Sequence, residues 1–181
     1  MGFALKIENL PKYTYNDYCQ WEGRWELIEG IPYSMSPQPV GKHQWICKKL
    51  SYQFEDELEI CGKCNVSLPM DWKIDENTVL QPDLFVACFN FKNLKFITES
   101  PIIVVEVLSP STRDKDITVK FNIYQEQGVK YYVIIDPEDD SYKIYELTEN
   151  KYQLVKSGHD GSFNFELGSN CKAEIDFSKL W

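Results

Sequence analysis

The chain lacks any apolar run approaching the roughly 20 residues that cross a membrane. Its first residues, MGFALKIENLPKYTY, contain no basic segment followed by a long apolar stretch, so no secretory signal is predicted. No helix-turn-helix, zinc-finger or other DNA-reading pattern is present. These absences predict a cytoplasmic protein without a membrane partner, and they give no support for sequence-specific DNA recognition.

Basic residues are outnumbered by acidic ones, and the formal net charge of the 181 residues is −9. Passive affinity for nucleic acid comes mainly from lysines and arginines that neutralise phosphates, so an acidic chain is a poor general DNA binder. The charge does not exclude a nuclease, since bound cations and a local basic patch can offset the field near a site.

The six cysteines do not follow the spacing of a disulfide framework, and free thiols are the expectation. Cys61 and Cys64 form a lone C-x-x-C pair. A structural zinc site needs four ligands, and no second pair accompanies it. A strand-like segment follows it, whereas a redox C-x-x-C usually opens a helix. A thiol–metal protein is therefore kept only as a third hypothesis, which a zinc assay would test.

The order of predicted elements indicates a mixed sheet. A strand, a helix and a second strand over 101–135 form a crossover, which requires a parallel pair. A two-stranded ribbon over 24–35 and a helix over 42–58 precede it, and C-terminal hairpins follow it. We therefore predict an α/β (α+β) fold with a mixed β-sheet flanked by helices. The expected organisation is a single domain, 1–181, with its core at about 24–147.

One acid lies inside the most apolar stretch of the chain. Residues 102–108 read IIVVEVL, which is typical of a strand buried on both faces, and Glu106 is within it. A buried carboxylate is costly unless a cation, a metal or hydrogen-bond donors meet it. Three partners remain open: a metal shared with a second acid, a lysine from the next segment, or a purely structural ion pair.

Asp83 is the second acid of this argument. It follows Pro82 in a predicted strand, where proline indicates an edge, a start or a bulge. Asp83 and Glu106 at the same end of the sheet would suit Mg²⁺ (or Mn²⁺), which needs few protein oxygens. The alternative is that Asp83 only caps a turn.

Three further polar residues recur every four positions on the helix predicted over 116–127. This spacing places Asp116, Lys120 and Tyr124 along one face of the helix. Lys120 would then reach towards Glu106 and orient an attacking water or stabilise charge on a phosphate. The alternative is an ordinary ion pair with Asp116 on a solvated face. Lys115 competes for the same role.

Six segments together resemble the bacterial "putative restriction endonuclease" family, abundant in cyanobacteria, within the PD-(D/E)XK nuclease superfamily. The resemblance covers about 25–147. The matching segments are WELIEG (25–30), His43, QPDL (81–84), VVEVLSPST (104–112), D-x-x-x-K-x-x-x-Y (116–124) and GV-x-YY-x-I-x-DP (128–137).

The resemblance implies roles for particular residues. Asp83 and Glu106 match the two metal-binding acids, whereas Leu108 stands where the superfamily has its lysine. The resemblance places that lysine at Lys120, on the following helix. Glu26 resembles an additional acidic position that ligates or supports the metal.

Two of these residues also have simpler interpretations. For Glu26 the alternative is a charge on the hairpin surface. His43 would bind phosphate or metal, or would make only a polar contact at a helix start.

The leading hypothesis is therefore a Mg²⁺-dependent endonuclease that hydrolyses phosphodiester bonds of DNA. The alternative is a nuclease fold retained as an inactive binding or regulatory module. Self-association is a separate question: the aromatic strands at 131–145 and the final Leu180 and Trp181 would either cover a homodimer interface or pack inside one chain.

Overall fold

The computed structural model describes residues 10–35, 41–168 and 170–181. The strands of these ranges are β1 (Trp25–Ile28), β2 (Ile31–Ser34), β3 (Asn65–Ser67), β4 (Trp72–Lys73), β5 (Val79–Leu80), β6 (Leu84–Ala87), β7 (Ile103–Val107), β8 (Tyr131–Asp136), β9 (Ser141–Thr148), β10 (Lys151–Gly158), β11 (Ser162–Gly168) and β12 (Cys171–Asp176). The helices are α1 (Tyr15–Tyr18), α2 (Gly41–Glu59), α3 (Arg113–Lys115) and α4 (Phe121–Glu126), with a π-helical segment (Asp116–Lys120) and a 3₁₀ turn (Phe177–Lys179).

The central sheet contains six strands in the order β10-β9-β8-β7-β6-β3. Strands β7 and β8 are parallel, and the other neighbours in this sheet are antiparallel. The chain crosses from β7 to β8 through α3, the π-helical segment and α4. All five residues of β7, IVVEV, are buried, as the continuous apolar run predicts. The predicted mixed α+β architecture is confirmed.

Four other strands form a second sheet in the order β2-β1-β5-β4. Its β1–β2 ribbon is the predicted hairpin, and Glu29 and Gly30 form the turn with φ of 51° and 82°. A side chain at Gly30 would approach Lys12 to 2.9 Å, so this turn requires glycine. Strands β5 and β6 belong to different sheets, and Pro82 and Asp83 therefore form the junction between the two sheets.

Two apolar clusters cover the faces of the central sheet. On one face α2 presents buried residues that recur every three or four positions, Ile46, Leu50, Phe54 and Leu58. Phe165 from the β11–β12 hairpin packs in the same cluster. Gln53 fastens α2 to β12, because its amide both accepts from Asp176 N–H at 2.9 Å and donates to Asp176 C=O at 3.2 Å. The other cluster includes Trp72, Tyr124 and Tyr132.

The aromatic residues that raised the question of a dimer mostly pack inside the chain. Tyr131, Tyr132 and Tyr142 are buried, and Leu180 is fully buried. Their positions agree with the intrachain alternative, and a homodimer stays a prediction. Among the helices of the described ranges, none is both long and apolar enough to cross a membrane.

The expectation of free thiols is wrong for four cysteines. Cys61 is bonded to Cys171, and Cys64 is bonded to Cys88, whereas Cys19 and Cys47 are free. The bonded residues are 110 and 24 positions apart, so only the tertiary fold brings them together.

Candidate active site

Asp83 and Glu106 lie at the same end of neighbouring strands. Leu84 pairs with Val105 in the antiparallel β6–β7 register, which places the preceding Asp83 beside Glu106. The carboxylate of Asp83 accepts a 2.9 Å hydrogen bond from the Val107 N–H. Asp83 therefore does not merely cap a turn, because its side chain is fixed to the strand that carries Glu106.

Both acids line one cavity of about 400 Å³. The other charged or titratable residues on its wall are Arg24, Lys42, His43, Asp116, Lys120 and Glu138. Several backbone and side-chain groups of the 107–112 turn complete it. The cavity thus collects most of the acids and bases that the sequence indicated.

His43 contacts Asp83 from the first turn of α2. Its Nε2 lies 3.1 Å from Asp83 Oδ2, and Cys47 Sγ, one turn later, lies 3.7 Å from Nδ1. Burial raises the pKa of Asp83, but the His43 hydrogen bond and the nearby positive charges outweigh it and hold that pKa below its usual value. Because an ionised carboxylate only accepts, Nε2–H is the donor. His43 thus makes a buried polar contact that orients Asp83.

Lys120 is almost completely buried between carboxylates. Its ammonium lies 2.9 Å from Glu106 Oε1, 2.8 Å from Glu26 Oε1 and 3.4 Å from Asp116 Oδ1. Burial alone would lower the pKa of Lys120, but the three acids outweigh it and raise that pKa well above its usual value. The lysine is therefore cationic, and the alternative of an ion pair on a solvated face is wrong.

Asp116 and Lys120 both point inward from the π-helical segment, whose wider turn is closed by i to i+5 hydrogen bonds. Residues four apart lie on nearly the same face of a helix, as the spacing in the sequence predicts. The predicted helix over 116–127 therefore begins earlier, at Arg113, and is not α-helical throughout. Such segments occur frequently at functional sites.

Tyr124 completes the surroundings of Glu106. Its hydroxyl donates a 2.6 Å hydrogen bond to Glu106 Oε1, the oxygen that also contacts Lys120. Burial, and then the charge of Glu106, raise the pKa of Tyr124 well above its usual value. Trp72 stacks on the tyrosine ring with centroids 5.8 Å apart. The orientation of the Glu106 carboxylate is thereby fixed by two donors.

Glu26 is fully buried, so the hairpin-surface interpretation is wrong. Its Oε1 accepts from Lys120 and from the Gln81 N–H at 3.0 Å, and its Oε2 pairs with Lys115. Burial raises the pKa of Glu26, but Lys120 and Lys115 outweigh it and the pKa falls below its usual value. Glu26 thus holds the two lysines in place. Lys115, the competing lysine, is directed to Glu26, while Lys120 contacts Glu106.

Asp116 supplies the least satisfied oxygen of the site. The residue is 1% exposed, and its Oδ1 has no hydrogen-bond partner within the described part of the chain. Burial raises the pKa of Asp116, although the nearby Lys120 partly opposes the shift. The Lys120 ammonium lies 3.4 Å from this oxygen, so it compensates the carboxylate charge without donating a hydrogen bond to Oδ1.

The charges of the site do not balance. Four buried carboxylates, of Glu26, Asp83, Glu106 and Asp116, face the ammonium groups of Lys115 and Lys120. Burial and the neighbouring acids Asp116 and Asp83 raise the pKa of Glu106 well above its usual value, although Lys120 opposes the shift. Across the described ranges no three acids form a compact ligand cluster. Asp83 and Glu106 therefore fit a cation that takes one or two carboxylates and keeps several waters, as Mg²⁺ does.

Two cations on the cavity wall were not identified from the sequence. Arg24 and Lys42 are both exposed, Arg24 directly before the WELIEG segment and Lys42 in the first turn of α2. Arg24 donates from Nε to Gln81 Oε1 at 2.7 Å. Lys42 donates to Pro137 C=O at 2.6 Å and pairs with the Asp140 carboxylate at 2.5 Å. Their adjacency to the matched segments was the available signal, but only the fold places them around one cavity.

Residues 14–168 match the Uma2 family, described as "Putative restriction endonuclease". The chain belongs to this family. An uncharacterized protein of Synechocystis sp. strain PCC 6803 is 31% identical over 169 residues, which cover 88% of this chain and 86% of that protein. The predicted family resemblance is confirmed.

The fold has a solved counterpart. The crystal structure of a putative nuclease belonging to DUF820 from Anabaena variabilis superposes with a TM-score of 0.73. The superposition covers 92% of this chain and 96% of that one, at 16% sequence identity. This similarity establishes a shared fold.

Proposed function

We propose that this member of the Uma2 family is an endonuclease that hydrolyses phosphodiester bonds of DNA with Mg²⁺ (or Mn²⁺). The observation that carries the proposal is the placement of Asp83 and Glu106 at one sheet end, facing a shared cavity. The family description and the fold of the DUF820 nuclease support the same class of activity.

Asp83 and Glu106 would hold the metal, which supplies polarisation of a phosphoryl oxygen and a lower pKa for bound water. Lys120 places a buried positive charge beside Glu106, where it stabilises negative charge or orients the attacking water. His43 and Tyr124 keep the two carboxylates in fixed orientations. Arg24 adds positive charge at the exposed side of the cavity, where the acidic chain otherwise repels phosphates, whereas the charge of Lys42 is partly neutralised by Asp140.

The test is cleavage of plasmid and single-stranded DNA with Mg²⁺ or Mn²⁺. We expect cleavage by the wild type and a loss of at least about 100-fold in Glu106→Gln and Asp83→Asn, because each removes a charged ligand. Glu126→Gln is the matched control, since Glu126 is exposed on α4 and should leave the rate unchanged. No cleavage by the wild type, or full cleavage by Glu106→Gln, contradicts the proposal.

A binding or regulatory module is the second candidate, and one observation favours it. Lys120 already contacts Glu106 at 2.9 Å, so part of the compensation that a metal would supply is present in the protein. Calorimetric titration with Mn²⁺ separates the two functions. A folded wild type that binds no divalent ion would favour the binding module.

A further inference from the structure

Four cysteines from distant parts of the chain meet at one edge of the central sheet. Cys61 and Cys64 follow α2, Cys88 follows β6, and Cys171 begins β12. The Sγ atoms of Cys61, Cys64 and Cys171 all lie within 4.8 Å of one another. Cys88 is outside this set of three, but its Sγ is bonded to Cys64 Sγ and is therefore the nearest candidate for a fourth ligand. The second pair of ligands that the C-x-x-C lacked in the sequence is therefore supplied by the fold.

We propose that these four cysteines, when reduced, bind one Zn²⁺ as a tetrathiolate site. Zinc takes four thiolates in a tetrahedron with Zn–S distances of about 2.3 Å, so neighbouring sulfurs must lie about 3.8 Å apart. Three of the sulfurs already lie within 4.8 Å of one another, and Cys88, on the exposed side, would have to turn its sulfur towards them once its bond to Cys64 is reduced. A C-x-x-C pair joined by two cysteines from elsewhere is a ligand set typical of structural zinc.

The structure holds the sulfurs as two disulfides, and zinc would require their reduction. Two dithiols would each donate two electrons and two protons and leave as disulfides, which converts the four cysteines to thiols. Zinc binding would then displace the four thiol protons. Cys88 is exposed, so the reductant and the metal have a path to the cluster. Cysteines in a reducing compartment stay as thiols, and there the bound metal would replace the two disulfides as the cross-link between these segments.

The metal would join the same elements that the disulfides join. Cys64 and Cys171 belong to the buried cluster under α2 and β12, so the zinc site would fasten the C-terminal hairpin to the main sheet. The thiolate set is also selective: soft sulfur ligands favour zinc, whereas Mg²⁺ prefers the oxygen ligands of Asp83 and Glu106. The proposed zinc site therefore uses other residues than the proposed nuclease site, and each can be tested without the other.

The experiment uses the full chain purified under a phosphine reductant, which takes the place of the dithiol and leaves as its oxide. We expect one zinc ion per chain by elemental analysis and native mass spectrometry. Replacement by Co²⁺ should give the intense visible bands of a tetrahedral tetrathiolate. Reduced protein that carries no zinc and gives no such bands with Co²⁺ overturns the proposal, as does persistence of both disulfides under the reductant.

Single variants test the ligand set. Cys64→Ser and Cys171→Ser should each weaken zinc binding by at least about 10-fold in a competition with a chromophoric chelator. Cys19→Ser is the matched control, because Cys19 is an exposed free cysteine outside the cluster, and it should retain the ion. Zinc retained unchanged by both ligand variants contradicts the assignment. If a ligand variant fails to fold, the Co²⁺ spectrum of the wild type still decides.

Discussion

The ammonium of Lys120 lies 2.9 Å from Glu106 Oε1 although the two residues are 14 positions apart, one on the π-helical segment and one on β7. The superfamily pattern would place a lysine two residues after Glu106, where this chain has Leu108. The positive charge therefore reaches the acid from the crossover helix and not from the strand. This relationship makes Lys120 important for the stability of the site, whatever its part in the proposed reaction.

Removing the Lys120 charge should destabilise the fold. In Lys120→Met the carboxylates of Glu26 and Glu106 lose their shared cation, and breaking a buried ion pair costs about 3–5 kcal/mol. Urea unfolding measures the change. Lys115→Met carries the same substitution in a side chain that contacts only Glu26 among these acids, and its cost should be smaller. Equal costs for the two variants would argue against the shared role of Lys120.

Divalent ions should stabilise the wild type against heat. A ligand that binds only the folded state adds about 2.7 kcal/mol at 100 times its Kd, so the Tm should rise with Mn²⁺ concentration. Glu106→Gln should show little rise, because it removes a charged ligand. A thermal shift assay with both proteins checks this expectation. An equal rise in the two proteins would place the ion elsewhere.

His43 should control metal affinity through Asp83. We expect His43→Gln to weaken Mn²⁺ binding about 10–100-fold, since the ring holds the Asp83 carboxylate in orientation. Isothermal titration calorimetry measures the change. His159→Gln is the control, because His159 is exposed and contacts backbone carbonyls of Asp139 and Asp140. Unchanged affinity in His43→Gln would show that Asp83 needs no such support.

Loss of the Tyr124 hydroxyl should lower the free energy of unfolding, because Glu106 loses a hydrogen-bond donor. Tyr124→Phe deletes a 2.6 Å hydrogen bond to a buried carboxylate, and bonds to charged groups contribute about 1.5–3 kcal/mol. The free energy of unfolding should fall by that amount while the ring stacking on Trp72 is preserved. Tyr52→Phe, at an exposed position on α2, should have no effect on the unfolding free energy. A negligible loss in Tyr124→Phe would show that the bond adds nothing net.

The Asp136 carboxylate should make stability depend on pH in acid. Burial raises its pKa, but hydrogen bonds from Arg113 and the Glu138 N–H outweigh that effect, so the pKa falls below its ordinary value of 3.8. The ionised form therefore stabilises the fold. Its contribution is complete above about pH 4 and is lost as the pH falls through the lowered pKa.

The measurement compares Asp136→Asn with the wild type by urea unfolding at several pH values. The wild type should be more stable by about 1 kcal/mol at pH 6, since the guanidinium is partly exposed, and the difference should shrink below pH 4. Asp56→Asn on the exposed side of α2 is the control. A difference that stays constant through this range would rule out Asp136 as its source.

Local patterns predicted most of the elements but not all of their boundaries. Helix α2 and strands β7 and β8 follow from apolar spacing that their burial then matches. Strand β12 was missed, because two of its three inward positions carry the small residues Cys171 and Ala173, and the alternation is correspondingly weak. The π-helical turn was also missed, because the spacing of four between Asp116 and Lys120 fits an ordinary α-helix equally well.

The sequence by itself determined that an acid lies within an apolar strand, that a second acid follows a proline, and that a lysine recurs on the next helix. These features are local, and burial requires each charge to find a partner. Only the tertiary structure decided which residues are the partners of these buried charges. Glu26 reaches Lys120 from another sheet, and Cys171 reaches Cys61 across 110 residues, because long-range packing, and not chain spacing, sets which buried groups meet.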